Sequence, residues 1–85
     1  MAIEIPNILN KKPKTQVSLT ALGKTKIDGN QIDPTTPKGK VLWYLKEHGQ
    51  SNMNEIAEET GISFWRVKDI CAEYANPQYR WIEWV

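Results

Sequence analysis

The most constraining feature of this 85-residue sequence is the spacing of small, glycine and apolar residues in its second half. Ala57 is small enough to lie where two helix axes cross closely, and Gly61, four residues later, tolerates the left-handed backbone of a tight turn. Val67 and Ile70 follow three residues apart, a spacing that puts both side chains on one face of a second helix. The pattern therefore predicts two helices within residues 53–75 that cross at a steep angle through a short turn.

Capping residues mark the ends of the predicted helices. Thr36 is a favoured N-cap and Pro37 suits the first helical position, so the sequence predicts a helix over residues 37–48, closed by a glycine. The crossing pair is predicted over residues 53–60 and 63–75, and the second of these helices ends just before a proline.

Two segments outside the helices have the character of strands. Residues 15–20 alternate polar and apolar side chains, and residues 78–85 are dense in aromatic and branched ones. We expect the two segments to pair, because a lone strand cannot satisfy its own backbone hydrogen bonds. Residues 21–28 fit either a short helix capped by Thr20 or a hairpin that turns at Gly23, and the helix is favoured because the turn residues are a weak hairpin signal.

Taken together, these elements resemble the winged helix-turn-helix family of DNA-binding proteins, which includes MarR-like and ArsR-like regulators. The resemblance extends over residues 36–85 and implies an α+β fold, in which a three-helix core carries a small antiparallel sheet formed by N-terminal and C-terminal strands. We assign residues 1–13 to an N-terminal arm and residues 14–85 to the domain, with the helix-turn-helix at about 52–76.

The sequence departs from the family in the order of its strands. Most winged-helix proteins have two strands joined by a wing after the third helix, whereas only one predicted strand follows it here, so residues 15–20 are expected to supply the other. Residues 19–23, Leu-Thr-Ala-Leu-Gly, are similar to a segment that follows the wing in MarR-like proteins, yet they precede the helices in this chain.

The resemblance also implies a set of DNA contacts. The second helix of the pair would enter the major groove of double-stranded DNA with its N-terminal residues at the base edges. By position, Arg66 would contact guanine or phosphate, Lys68 phosphate, and Ser63 phosphate at the helix start. Of Phe64 and Trp65, one is expected to cover the sheet and the other to contact a thymine methyl group.

Charge is distributed unevenly along the chain. Residues 1–46 carry a net charge of +5 and residues 47–85 carry −4, although the total is only +1. The basic first half indicates either an acidic partner or a solvated lysine-rich surface. The lysines expected to contact the DNA backbone are Lys12, Lys14, Lys24 and Lys26.

Enzymatic and membrane functions find little support in the sequence. The single cysteine, Cys71, excludes an intramolecular disulfide and a cysteine-based zinc site, and no glycine-rich phosphate loop or metal-ligand cluster is present. We therefore expect no catalysis, cofactor or metal. The longest apolar run, residues 41–45, is far short of the roughly 20 residues that a membrane span needs. With no signal-like N-terminus, a soluble cytoplasmic protein is expected.

Other partners stay open at this point. A winged-helix module that binds protein would use an aromatic face, made of Phe64, Trp65, Trp81 and Trp84. The near-neutral pI of about 7.8 favours this alternative, whereas the helix spacing and the lysines favour DNA. A third hypothesis for the function is an RNA-associated adaptor. A homodimer is also expected, because the C-terminal strand at a sheet edge and the apolar residues 3–9 invite pairing with a second copy.

Overall fold

The described chain contains four helices and three short strands. The structure is a computed structural model that describes residues 16–29 and 32–85. In chain order the elements are β1 (Gln16–Leu19), α1 (Ala21–Asp28), α2 (Pro37–His48), β2 (Ser51–Asn52), α3 (Met53–Thr60), α4 (Phe64–Ala75) and β3 (Ile82–Trp84). The predicted arm over residues 1–13, and with it Lys12 and Lys14, lies outside the described residues.

Each of these four helices begins at a residue whose side chain accepts a hydrogen bond from the first turn. Thr20 accepts from the Gly23 N–H at 3.1 Å, and Thr36 accepts from the Gly39 N–H at 3.0 Å. The caps of the other two helices are Asn52, which accepts from the Asn54 N–H at 2.7 Å, and Ser63, which accepts from the Arg66 N–H at 3.2 Å. Such caps satisfy N–H groups that have no partner within the helix, so the helix starts are set locally by the sequence. The helices predicted at all four places are confirmed.

The three strands form one antiparallel sheet in the order β2-β1-β3. Ser18 lies opposite Glu83 and Leu19 opposite Ile82, which confirms the predicted pairing of an N-terminal with a C-terminal strand. On the other side of β1, Val17 lies opposite Ser51 of β2. Strand β2 is not predictable from the sequence, because two residues are too few to show an alternating pattern.

The C-terminal strand is shorter than predicted. We expected it over residues 78–85, but the strand covers only Ile82–Trp84. The preceding residues form a turn, in which the Tyr79 and Arg80 N–H groups both donate to the Asn76 carbonyl at 2.9 Å. Arg80 has a φ of 56°, in the left-handed region of the backbone that residues other than glycine rarely adopt. The turn redirects the chain from the end of α4 back along the sheet.

The expected three-helix core is also incomplete, because α1 is a fourth contributor. This helix packs against α2 and β1. Its Ile27 side chain is fully buried together with Val41 and Leu42 of α2. The apolar core lies between the sheet and the helices, and its other members are Val17, Leu19, Leu45, Met53, Ile56, Val67, Ile70, Cys71, Tyr74 and Ile82.

A first prediction concerns the middle strand. Val17 is fully buried, whereas its neighbour Ser18 is half-buried on the other face of the sheet. Val17→Ala removes two buried methyl groups and leaves a cavity, so we expect it to lower the free energy of unfolding by about 2 kcal/mol. Ser18→Ala is the matched control and should change this free energy by less than about 0.5 kcal/mol. Urea unfolding followed by tryptophan fluorescence measures both, and equal effects would show that β1 does not anchor the core.

The start of α1 is held tightly against the turn that follows α4. The Thr20 backbone N–H donates to the Trp81 carbonyl at 3.0 Å, and the Thr20 hydroxyl donates to the Arg80 carbonyl at 2.5 Å. A Cβ atom at Gly23 would overlap the Trp81 carbonyl oxygen and lie 3.2 Å from a methyl group of Leu19. Glycine is therefore required at this position for close approach, although its backbone is helical.

The second prediction follows from this close approach. Replacing glycine by alanine inside a helix ordinarily stabilises it by up to about 1 kcal/mol. Gly23→Ala should instead destabilise the protein, because the obstructing atom belongs to backbone and cannot move aside cheaply. Lys24→Ala, at the exposed next position, is the control and should leave the melting temperature nearly unchanged. A higher melting temperature for Gly23→Ala in a calorimetric scan would contradict the packing described here.

Candidate nucleic-acid interface

The two helices α3 and α4 are joined by a turn of three residues. Gly61 has φ 76° and ψ 13°, the left-handed conformation expected from the sequence, and its N–H donates to the Ala57 carbonyl at 3.0 Å. Ile62 is partly buried against the core, and Ser63 then caps α4. The tight turn is thus built by the residue types that predicted it.

Helix α4 has a buried face and an opposite, exposed one. Val67, Ile70, Cys71 and Tyr74 are buried in the core. With about 100° between successive residues, Lys68 and Glu73 lie equally far from these four, but Glu73 is half-buried. The exposed positions farthest from the buried face are Trp65, Lys68, Asp69 and Ala72. We call these four residues the outer face of α4. It is the side of the helix that faces away from the core.

The most exposed large apolar side chain of the described chain lies on this outer face. Trp65 retains 68% of its accessible surface. The Lys68 ammonium lies 5.3 Å from the centre of the Trp65 ring, a cation–π contact between residues three apart. Phe64 meets Trp65 edge to face at 5.3 Å but is itself partly buried against the core. Of the two aromatic residues, Phe64 thus covers the core and Trp65 faces outward.

The two remaining predicted residues of this helix are also exposed. Arg66 lies beside the outer face, with no ion pair among the described residues. The Ser63 hydroxyl oxygen accepts the capping hydrogen bond, and its O–H stays available as a donor at the start of the helix. Ser63, Trp65, Arg66 and Lys68 are therefore all exposed in a cluster at the N-terminal end of α4, with Arg66 and Lys68 about 160° apart around the helix axis.

The predicted lysines of the first half are not part of this cluster. Lys24 and Lys26 belong to α1, which packs against α2 and β1, whereas α4 packs against α3, α2 and β3. Lys24 is exposed and Lys26 half-buried. Lys12 and Lys14 precede Gln16, which lies beside Asn52, the N-cap of α3, but both lysines are outside the described residues.

Two of the three carboxylates of α3 are turned toward α2. The pKa of Tyr44 on α2 is raised, first by desolvation, then by the negative charges of Glu55 and Glu59, and by hydrogen bonding to Glu55. On the helical wheel both glutamates lie across α3 from Ala57, which is partly buried against the core. These two carboxylates therefore lie near Tyr44 of α2, and the third, Glu58, is exposed elsewhere on α3.

An open groove between α2 and α3 was not expected from the sequence. It has a volume of about 520 Å³, and its lining includes Trp43, Tyr44, Glu47 and Glu59, together with the cation of Lys40. The Trp43 indole N–H donates to the Ile32 carbonyl at 3.2 Å. The residues that line the groove come from separate segments and carry charges of both signs. No single stretch of the sequence therefore predicts the groove.

The four aromatic residues expected to form one face do not share the same exposure. Trp81 stacks on Tyr74 with ring centroids 4.8 Å apart and is partly buried against the core. Trp84 and Phe64 are also partly buried there. Trp65 alone among the four is largely exposed, so most of this aromatic surface serves packing.

The described residues contain no cluster of histidine, cysteine and acidic side chains that could hold a metal ion. In the same part of the chain, no helix has the length and apolar character needed to cross a membrane. No family model, curated protein or solved structure matches this chain.

The third prediction concerns Cys71. Burial raises the pKa of its thiol to about 12, so almost no thiolate exists at neutral pH. We expect iodoacetamide to leave the folded protein unmodified at pH 8 and to alkylate it after unfolding in urea, as mass spectrometry would show. Because the unfolded thiol ionises near pH 8.5, its contribution to stability is present below that pH and is lost progressively as the pH rises toward 12. Rapid alkylation of the folded protein would contradict the buried position.

Proposed function

We propose that this protein binds double-stranded DNA, with the outer face of α4 in the major groove, and that it acts as a transcription regulator or an accessory DNA-binding factor. The observation that carries the proposal is the α3–α4 pair. A left-handed glycine turn joins its helices, and the second helix exposes Trp65, Arg66 and Lys68.

The dimensions of α4 suit this role. A helix with its side chains is about 10–12 Å in diameter, and the major groove is about 12 Å wide. The helix has 12 residues, which corresponds to a length of about 18 Å. Arg66 and Lys68 supply positive charge near its N-terminal end, where the helix dipole also favours phosphate.

The sheet supports a winged-helix arrangement with an altered chain order. In winged-helix proteins the two strands after the third helix are neighbours joined by a wing. Here β3 follows α4, and its antiparallel neighbour is β1, from before the helices. The Val85 N–H donates to the Gln16 carbonyl at 3.0 Å, and within this proposal that end of the strand pair takes the place of the wing.

The sequence predicts backbone contacts for Lys12, Lys14, Lys24 and Lys26 as well. Lys24 and Lys26 belong to α1, which packs against α2 and β1, and Lys12 and Lys14 lie outside the described residues, so within this proposal the phosphate contacts are assigned to Arg66 and Lys68 of α4. The total charge of +1 is small, so the binding strength depends on where these cations lie.

A protein partner is the second candidate. The groove between α2 and α3 favours it, since Trp43 and Tyr44 offer aromatic surface there beside the carboxylates of Glu47 and Glu59. A homodimer through β3 is part of either proposal, because in the described sheet this strand is paired on one side only. Light scattering at high protein concentration distinguishes a dimer from a 9.8 kDa monomer.

The fourth prediction tests the DNA proposal by its salt dependence. Each neutralised phosphate adds about −0.9 to the slope of log K against log salt concentration. Arg66→Ala and Lys68→Ala should each weaken binding to a random-sequence duplex, and each lost phosphate contact should reduce the slope by about 0.9. Fluorescence anisotropy of a labelled duplex in increasing salt measures both quantities.

Lys40→Ala is the matched control, because it removes one exposed positive charge from the groove between α2 and α3. It should leave the slope unchanged. Amide shifts on adding DNA should concentrate at residues 63–72. Failure of the wild-type protein to bind any duplex at low salt would overturn the proposal and favour a protein partner. Equal losses in all three variants would show that α4 has no special role.

A further inference from the structure

Asp69 places a carboxylate in the middle of the outer face of α4. It is exposed, and it lies one helical turn after Trp65 and one turn before Ala72. The ion pairs among the described residues join Lys38 to Glu73 and Lys46 to Asp28. Asp69 therefore forms no ion pair with any described residue. A negative charge without an ion-pair partner among the described residues thus lies on the outer face of α4, which contacts DNA in the proposed function.

Such a carboxylate is unfavourable at nearly every position of a major groove. Phosphates repel it, and most groups on the base edges are hydrogen-bond acceptors, as an ionised carboxylate is. The donors in this groove are the amino groups of cytosine and adenine. The adenine amino group lies beside the N7 acceptor of the same base, whereas that of cytosine lies beside a C–H group, so cytosine suits a carboxylate better.

Two of the neighbours of Asp69 on the outer face, Trp65 and Ala72, are apolar, and the third is Lys68. The Trp65 ring and the Ala72 methyl group each offer a surface on which a thymine methyl group can pack. At 1.5 Å per residue, these side chains lie about 6 Å before and about 4.5 Å after Asp69 along the helix axis. Base pairs are stacked about 3.4 Å apart, so these distances correspond to one or two base steps.

We infer that the protein recognises a DNA sequence in which Asp69 accepts a hydrogen bond from a cytosine amino group and Trp65 packs on the methyl group of a thymine one or two steps away. The inference rests on the proposed function and adds the base that the helix selects. Asp69 is a specificity residue in this scheme: it weakens binding to most sequences and permits binding to those with cytosine at one position.

Selection of binding sites from a random duplex library tests this inference. We expect the wild-type protein to enrich sites with cytosine at one position, and Asp69→Asn to enrich adenine there, because asparagine pairs with the N6 and N7 groups of adenine. Asp69→Ala should lose the preference at that position without gaining another. In titrations of the selected wild-type site, replacing the cytosine should weaken binding roughly 5- to 100-fold for the wild-type protein and far less for Asp69→Ala.

Glu58→Gln is the control, since it removes one exposed carboxylate from α3 and should change no base preference. Replacing the neighbouring thymine by deoxyuridine removes only a methyl group, and it should weaken binding by the wild-type protein but not by Trp65→Ala. Enrichment of the same base by the wild-type, Asp69→Asn and Asp69→Ala proteins would overturn the inference while leaving DNA binding intact. No enrichment of any duplex by the wild-type protein would overturn the proposed function and this inference together.

Discussion

The antiparallel pairing of β1 with β3 is the interaction on which the rest of the structure depends. Because β1 is the middle strand, both neighbouring strands complete their hydrogen bonds on it. Its Val17 and Leu19 side chains also belong to the buried core beneath the helices. Directly after β1, Thr20 donates hydrogen bonds to the backbone carbonyls of Arg80 and Trp81. The pairing of β1 with β3 therefore also fixes where α1 starts and which way the chain runs after α4. One four-residue strand thereby connects the sheet, the first helix and the end of the last one.

The proposed interface is a consequence of how that core is filled. Four buried residues hold α4 by one side, which leaves Trp65 and Asp69 on the other. Glu55 and Glu59 of α3 lie near Tyr44 of α2, whereas the third carboxylate of α3, Glu58, is exposed. Although the net charge of the chain is only +1, its exposed side chains thus differ from one helix surface to another. Electrostatic attraction to DNA depends on the local arrangement of charge near the contact as well as on the total.

The helices were predictable from sequence because their starts are decided within a few residues. Thr36 with Pro37, Asn52 and Ser63 are local signals, and each became a cap. The pairing of the two outer strands followed from the need of each strand for a partner. The two residues of β2 and the close approach at Gly23 depend on segments distant in sequence, so no local pattern reveals them. In the candidate interface, helical spacing indicated which residues of α4 point outward, but the separation of Lys24 and Lys26 from that helix is a matter of tertiary packing.

The wide separation of β1 and β3 in sequence also affects how the chain folds during synthesis. The residues that pair, such as Leu19 and Ile82, are 63 positions apart, so β1 leaves the ribosome long before its partner exists. The helices make mostly local contacts and can form early, whereas closure of the sheet must wait for β3. Until then the backbone edge of β1 that pairs with β3 has no partner, and a neighbouring nascent chain can reach it. Completion of β3 is therefore the step that commits the polypeptide to its folded form.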